Sequence, residues 1–126
     1  MSGRILLVED DNFLRKAADA MLRRHGFEVL LAADGQEGLD TARAQLPDLV
    51  LLDLIMPKIQ GFEVLAQLKA DAATAGIPVV ILSNLGQEQD VQRAMAAGAS
   101  AYFVKANTAL STLVDQVRLV LAGKAA

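Results

Sequence analysis

The stretch DLVLLDLIMPKIQG, residues 48–61, sets a single carboxylate inside an apolar run: Leu49–Leu52 precede Asp53, and Leu54, Ile55 and Met56 follow it before Pro57. A short, almost continuous apolar run reads as a strand buried on both faces, the pattern of parallel sheets. An ionised carboxyl there is costly unless charge or hydrogen bonds compensate it. The fold must therefore bury the run and also supply Asp53 with partners.

Similar runs recur at Ile5–Val8, Val29–Leu31, Val79–Leu82 and Ala101–Val104. Segments of helical period separate them. Residues 12–25 put Leu14, Ala17, Ala18, Met21 and Leu22 on one stripe, with Arg15, Lys16, Asp19 and Arg23 opposite, and Gly26 sits where a helix ends. Further helices are expected over 36–46 (Leu39, Ala42, Leu46, stopped by Pro47), 62–70, 87–97 (Val91, Ala94, Met95, then Gly98) and 108–121. Strand and helix thus alternate five times, which implies a parallel α/β sheet with right-handed crossovers and helices on both faces. With 126 residues the chain is too short for an eight-stranded barrel, so an open, doubly wound sheet is expected, a single domain over 1–126 with its core in 4–121.

Composition narrows the function. Apolar residues make up 53% and charged residues 21%, a globular balance. No cysteine is present, so disulfide, thiolate-metal and thiol-nucleophile chemistry are excluded, which fits a reducing cytoplasm. The net charge of −3 argues against nucleic-acid binding, and no apolar run is long enough to cross a membrane or to form a signal peptide. The terminal AGKAA is the one candidate frayed tail.

In open parallel sheets the site lies beyond the carboxyl ends of the strands. Strand 1 ends in Glu9, Asp10 and Asp11, strand 3 in Asp53, strand 4 in Ser83 and Asn84, and strand 5 in Lys105. Asp34 and Gly35, after strand 2, read as a turn into the next helix. Clustered carboxylates repel one another, and a hard divalent cation relieves that repulsion. With oxygen ligands and a single distant histidine, His25, the donor set points to Mg2+ or Mn2+. Lys105 adds a positive charge and Ser83 a hydroxyl, an assembly suited to phosphoryl binding with a carboxylate nucleophile. Taken singly, Asp10, Asp11 and Ser83 read as helix caps or turn residues and Lys105 as a solvated lysine. Their joint placement on one sheet edge is what favours a site.

The motifs ILLVEDD, AADGQEGL, PDLVLLDLIMPKIQGFEVL, IPVVILS and AMAAGASAYFVKA, in this order and spacing, resemble the receiver domain of two-component response regulators from Arg4 to Leu121. The resemblance implies a flavodoxin-like three-layer (βα)5 sandwich of strand order 2-1-3-4-5. It implies Asp53 as phospho-acceptor from a histidine kinase or phosphotransfer protein, and Mg2+ held by Glu9, Asp10, Asp53 and the Ile55 backbone carbonyl. Asp11 would be a neighbouring acid and not a ligand. Ser83 and Lys105 would engage the phosphoryl group, and Ser83 with Tyr102 would form the switch. Tyr102 also reads as an ordinary half-buried strand tyrosine. Readout would run over the helix 4–strand 5–helix 5 face to a downstream target, with homodimerisation on that face left open. The protein is expected to be no enzyme beyond self-catalysed phosphorylation and dephosphorylation.

The chain departs from the family pattern at three places. Ala106 follows Lys105 where the family has proline, so a trans bond and a looser loop are expected. Asn84 replaces a small residue, which bears on access beside Ser83. Apolar Ile55 and Leu85 lie two residues beyond Asp53 and Ser83, positions that in the family influence hydrolysis of the acyl phosphate; here they are expected to hinder water. The rival readings are a pseudo-receiver interaction module, a haloacid-dehalogenase-type phosphatase and an FMN protein. The second calls for D-x-D on strand 1 and the third for a phosphate loop there, where this chain has three acids. The initial methionine favours a stand-alone regulator over a receiver excised from a longer protein.

Overall fold

The strands β1 (Arg4–Val8), β2 (Glu28–Ala32), β3 (Leu49–Leu52), β4 (Val79–Ser83) and β5 (Ala101–Val104) form one parallel sheet of order β2-β1-β3-β4-β5 in a computed structural model that describes residues 3–56 and 58–125. Helices α1 (Asn12–Arg24), α2 (Gly35–Gln45), α3 (Gly61–Ala70), α4 (Glu88–Ala96) and α5 (Leu110–Ala125) alternate with the strands. The doubly wound sheet expected from the alternating runs is the fold.

Strand parity builds the two faces. Leu6, Val8, Val50, Leu52, Val79 and Ile81 point into a core closed by α2, α3 and α4. Their neighbours Ile5, Leu7, Leu49, Leu51, Val80 and Leu82 point into a second core closed by α1 and α5. Every residue of β3 and β4 is buried, as continuous apolar runs demand of inner strands. The outer strands differ: Leu31 of β2 is 40% exposed and β5 is only half-buried, because each has a neighbour on one side.

Local chemistry sets the helix ends. Asp11 caps α1 by accepting from the Leu14 amide, and Asp34 caps α2 by accepting from Glu37. Both Gly26 (φ 91°) and Gly98 (φ 109°) take the left-handed conformation after α1 and α4. In each, the next residue's amide bonds back to the helix, Phe27 to Leu22 and Ala99 to Ala94.

Several expectations need correction. Leu46 is not on the buried stripe of α2; it takes a left-handed φ of 46° ahead of Pro47 and is exposed. Met95 is likewise exposed, and Ala94 is the one residue of α4 that is buried. Gln87 and Ala97 are caps of α4 and not part of it. The final helix starts two residues later than expected, because Lys105–Asn107 form a 3-10 turn, and it continues past Leu121. Backbone hydrogen bonding therefore carries the expected frayed tail as helix to Ala125; Ala126 lies outside the described residues. Helix α4 is also tied to α3 by Arg93, whose guanidinium lies 3.8 Å from the centre of the Phe62 ring.

Candidate functional site

Strand register brings the acids together. Val8 pairs with Leu52, so the next residues, Glu9 and Asp53, leave adjacent strands side by side. The Asp53 amide still bonds to Val8 and that of Glu9 to Ala32, so both acids are rooted in the sheet. Glu9 is 2% exposed and Asp53 4%, while Asp10 is exposed. One carboxylate oxygen from each of Glu9, Asp10 and Asp53 falls within a set spanning no more than 4.8 Å.

Lys105 closes the cluster. Its Nζ lies 2.8 Å from Glu9 Oε1 and 3.0 Å from Asp53 Oδ2. The remaining oxygens are also engaged: Glu9 Oε2 accepts from the Asp11 amide at 3.1 Å, and Asp53 Oδ1 accepts from the Ile55 amide at 3.1 Å. The buried carboxylate that was costly on paper is thus compensated by a lysine and a backbone N–H. Burial pushes the Glu9 carboxyl up to about 6, against the hydrogen bonds from Lys105 and Asp11, and the Asp53 charge adds to the rise. For Lys105, burial would lower the ammonium, but Glu9 and Asp53 together outweigh it and hold it above the ordinary lysine range.

Ser83, fully buried, ends β4 on the same edge, and its Oγ accepts from the Leu85 amide at 3.3 Å. It is not the cap of α4, a position Gln87 fills. Leu85 is half-buried against the α2–α3–α4 core, and its carbonyl accepts from the Tyr102 hydroxyl. Tyr102 on β5 is therefore tied to the loop that follows Ser83; burial, with the charges of Asp90 and Asp53, raises its hydroxyl pKa. Asn84 is exposed and Asp11 is occupied as the α1 cap. Among the described residues no peptide bond is cis, and Lys105–Asn107 form a 3-10 turn.

Two features were not read from the sequence. Arg15, assigned to the polar stripe of α1, instead reaches back to the loop between β1 and α1. Gly61 and Gly35 pack on the loop that carries Asp53: a Cβ on Gly61 would lie 2.3 Å from the Asp53 carbonyl oxygen, and one on Gly35 2.1 Å from that of Ile59. A glycine at a helix start, where capping side chains are usual, was the available signal for Gly61.

A doubly wound parallel α/β protein with three acids and a lysine at the carboxyl edge of the sheet belongs to the flavodoxin-like class, with its site where that class places ligands. Within that class the chain belongs to the response regulator receiver domain family, which it matches over residues 5–118. It is 40% identical over 121 residues to Protein PilH of Pseudomonas aeruginosa, covering 96% of this chain and 99% of that protein. It is 44% identical over 104 residues to the Transcriptional activator protein PfeR of the same organism, covering 82% of this chain and 33% of PfeR. A CheY-like response regulator receiver domain protein from Methanospirillum hungatei superposes with a TM-score of 0.91 at 25% identity, over 98% of this chain and 97% of that one.

Proposed function

We propose that this receiver domain accepts a phosphoryl group on Asp53 from a histidine kinase or phosphotransfer protein and uses it to switch a protein-binding face. The observation that carries this reading is Lys105 bridging Glu9 and Asp53, with Asp10 beside them. A carboxylate oxygen of Asp53 attacks phosphorus; a P–O bond forms, and the P–N bond to the donor imidazole breaks with its electron pair left on nitrogen. Lys105 holds the Asp53 carboxylate in place and offers its charge to the phosphoryl oxygens. Ser83, at the end of the neighbouring strand, donates its hydroxyl proton to one of those oxygens in this reading, which its position on the same sheet edge supports.

The donor set fits a hard divalent cation: oxygen ligands alone, close together, with surplus negative charge. Glu9, Asp10, Asp53 and the Ile55 carbonyl would hold Mg2+ (or Mn2+), which when bound neutralises the charge that develops on the phosphoryl oxygens. No separate substrate is turned over; the reaction is self-catalysed. The readout face is α4, β5 and α5, open to a downstream target or a second copy of the chain. Helix α4 is suited to move because it buries little more than Ala94. No described helix is long and apolar enough to cross a membrane, and the reading places the protein in the cytoplasm with its kinase.

The test is to add acetyl phosphate or beryllofluoride with Mg2+ to wild type and to Asp53→Ala, following amide NMR shifts in α4 and β5. Wild type is expected to shift and Asp53→Ala to remain still. Identical spectra from both proteins would leave the pseudo-receiver module as the reading.

The apolar residues beyond Asp53 and Ser83 separate in the structure. Ile55 is 54% exposed beside Asp53, whereas Leu85 turns partly into the core. Shielding of the acyl phosphate is therefore assigned to Ile55. Replacing Ile55 by asparagine gives attacking water a hydrogen-bond partner, and the phosphoryl half-life is expected to fall roughly tenfold, the scale of one such bond. A half-life of minutes or less in wild type, unchanged in Ile55→Asn, would remove the shielding role.

A further inference from the structure

The acids of the site are held in different ways. Glu9 and Asp53 have bonded carboxylates, but the carboxylate of Asp10 has no hydrogen bond or ion pair among the described residues. Its aim is set only by its backbone, in the short turn between β1 and α1. The carbonyls of Glu9 and Asp10 belong to neither a strand nor a helix, so regular structure does not fix them.

Arg15 supplies the missing restraint. Its Nη1 donates to the Glu9 carbonyl at 2.8 Å and more weakly to that of Asp10 at 3.4 Å, and its Nη2 donates to the Asn12 side chain. The Arg15 amide bonds to Asp11 at 2.9 Å in the first turn of α1, so the guanidinium folds back over the turn its own helix starts from. We propose that Arg15 is a positioning residue: its planar fork locks the Glu9 and Asp10 carbonyls and so holds the Asp10 carboxylate toward Glu9 and Asp53. This rests on the divalent-cation reading above only for its metal readout.

Sign separates this role from a charge effect. A cation near an acidic site repels a bound cation, so removing Arg15 as a mere charge would tighten Mg2+ binding. Removing it as a brace weakens binding, by about tenfold on the scale of residues that orient ligands from behind. Lysine keeps the charge but offers a point donor where the fork serves separate acceptors, so Arg15→Lys is not expected to restore affinity.

The experiment is calorimetric Mg2+ titration of wild type, Arg15→Met, Arg15→Lys and Lys16→Met, the last removing one charge from an exposed position of the same helix. In parallel, amide exchange is measured on the metal-free proteins. Both Arg15 variants are expected to bind about tenfold more weakly, while Lys16→Met binds as tightly as wild type or more so. In metal-free Arg15→Met the Asp11 amide, which donates to Glu9, is expected to exchange about tenfold faster with β3 protection unchanged. Equal or tighter binding by Arg15→Met, full restoration by Arg15→Lys, or unchanged Asp11 exchange would overturn the assignment. Failure of wild type to bind Mg2+ would overturn the metal reading instead, and the metal-free exchange would still decide Arg15.

Discussion

Gly61→Ala is expected to cost about 3 kcal/mol, the upper range for overpacking a tight interior, and to lower the melting temperature by about 10 °C. The added methyl has nowhere to go. It would sit 2.3 Å from the Asp53 carbonyl oxygen and 2.4 Å from the Leu54 Cα, both backbone atoms that no rotamer change can move. Relief requires α3 and the Asp53 loop to part, which breaks the 3.0 Å bond from the Gly61 amide to the Leu54 carbonyl. Asp53 moves with that loop, so any variant that still folds should also lose most of its response to beryllofluoride. Gly123→Ala is the control: a Cβ there meets nothing within 4 Å, and alanine is expected to stabilise α5 by up to ~1 kcal/mol. Calorimetric melts of the two variants decide the matter; equal melting temperatures would show that the loop yields freely.

The difference between these glycines marks how far the sequence could be read. Run length, with β-branched content, identified the inner strands, because a short continuous apolar run such as Leu49–Leu52 suits a strand buried on both faces. It also identified the residues on the carboxyl edge, since Glu9, Asp53, Ser83 and Lys105 each follow directly on an apolar run. Strand order came from resemblance: nothing in a run such as Val79–Leu82 says which strand lies next to it. Leu46 and Met95 misled for different reasons: Leu46 lies past the end of α2 in a left-handed conformation, while the stripe that holds Met95 marks a face but not whether a neighbour covers it. Arg15 was missed because helical geometry places its Cα on the polar face, while its long side chain carries the guanidinium back along the helix to the loop. Gly61 and Gly35 were missed because a glycine at a helix start does not say which backbone it approaches: Asp53–Leu54 and Ile59 are brought against them only by the fold.

Lys105→Met is expected to destabilise the metal-free protein by about 3–5 kcal/mol near pH 7.5, the scale for removing one partner of a buried ion pair. Glu9 and Asp53 would then face each other in the interior with only the amides of Asp11 and Ile55 to compensate them. The pH dependence follows from Glu9. Its folded carboxyl is raised to about 6, above its value in the unfolded chain, so between those values the folded state binds the extra proton. In wild type this group's contribution to stability is therefore fully present at low pH and falls as pH rises through about 6. Removing Lys105 takes away an interaction that lowers the Glu9 value, so the fall extends to higher pH and becomes larger. Glu9→Gln removes the titration, and with it a penalty of about 2 kcal/mol at neutral pH. Saturating Mg2+ should recover more stability in Lys105→Met than in wild type, because a bound cation takes over the role of the missing ammonium. Thermal melts from pH 5 to 8, with and without Mg2+, provide the measurement. A melting temperature for Lys105→Met that stays flat across that range would mean that Glu9 is ionised at no cost, and the cluster would lose its electrostatic reason to recruit a metal.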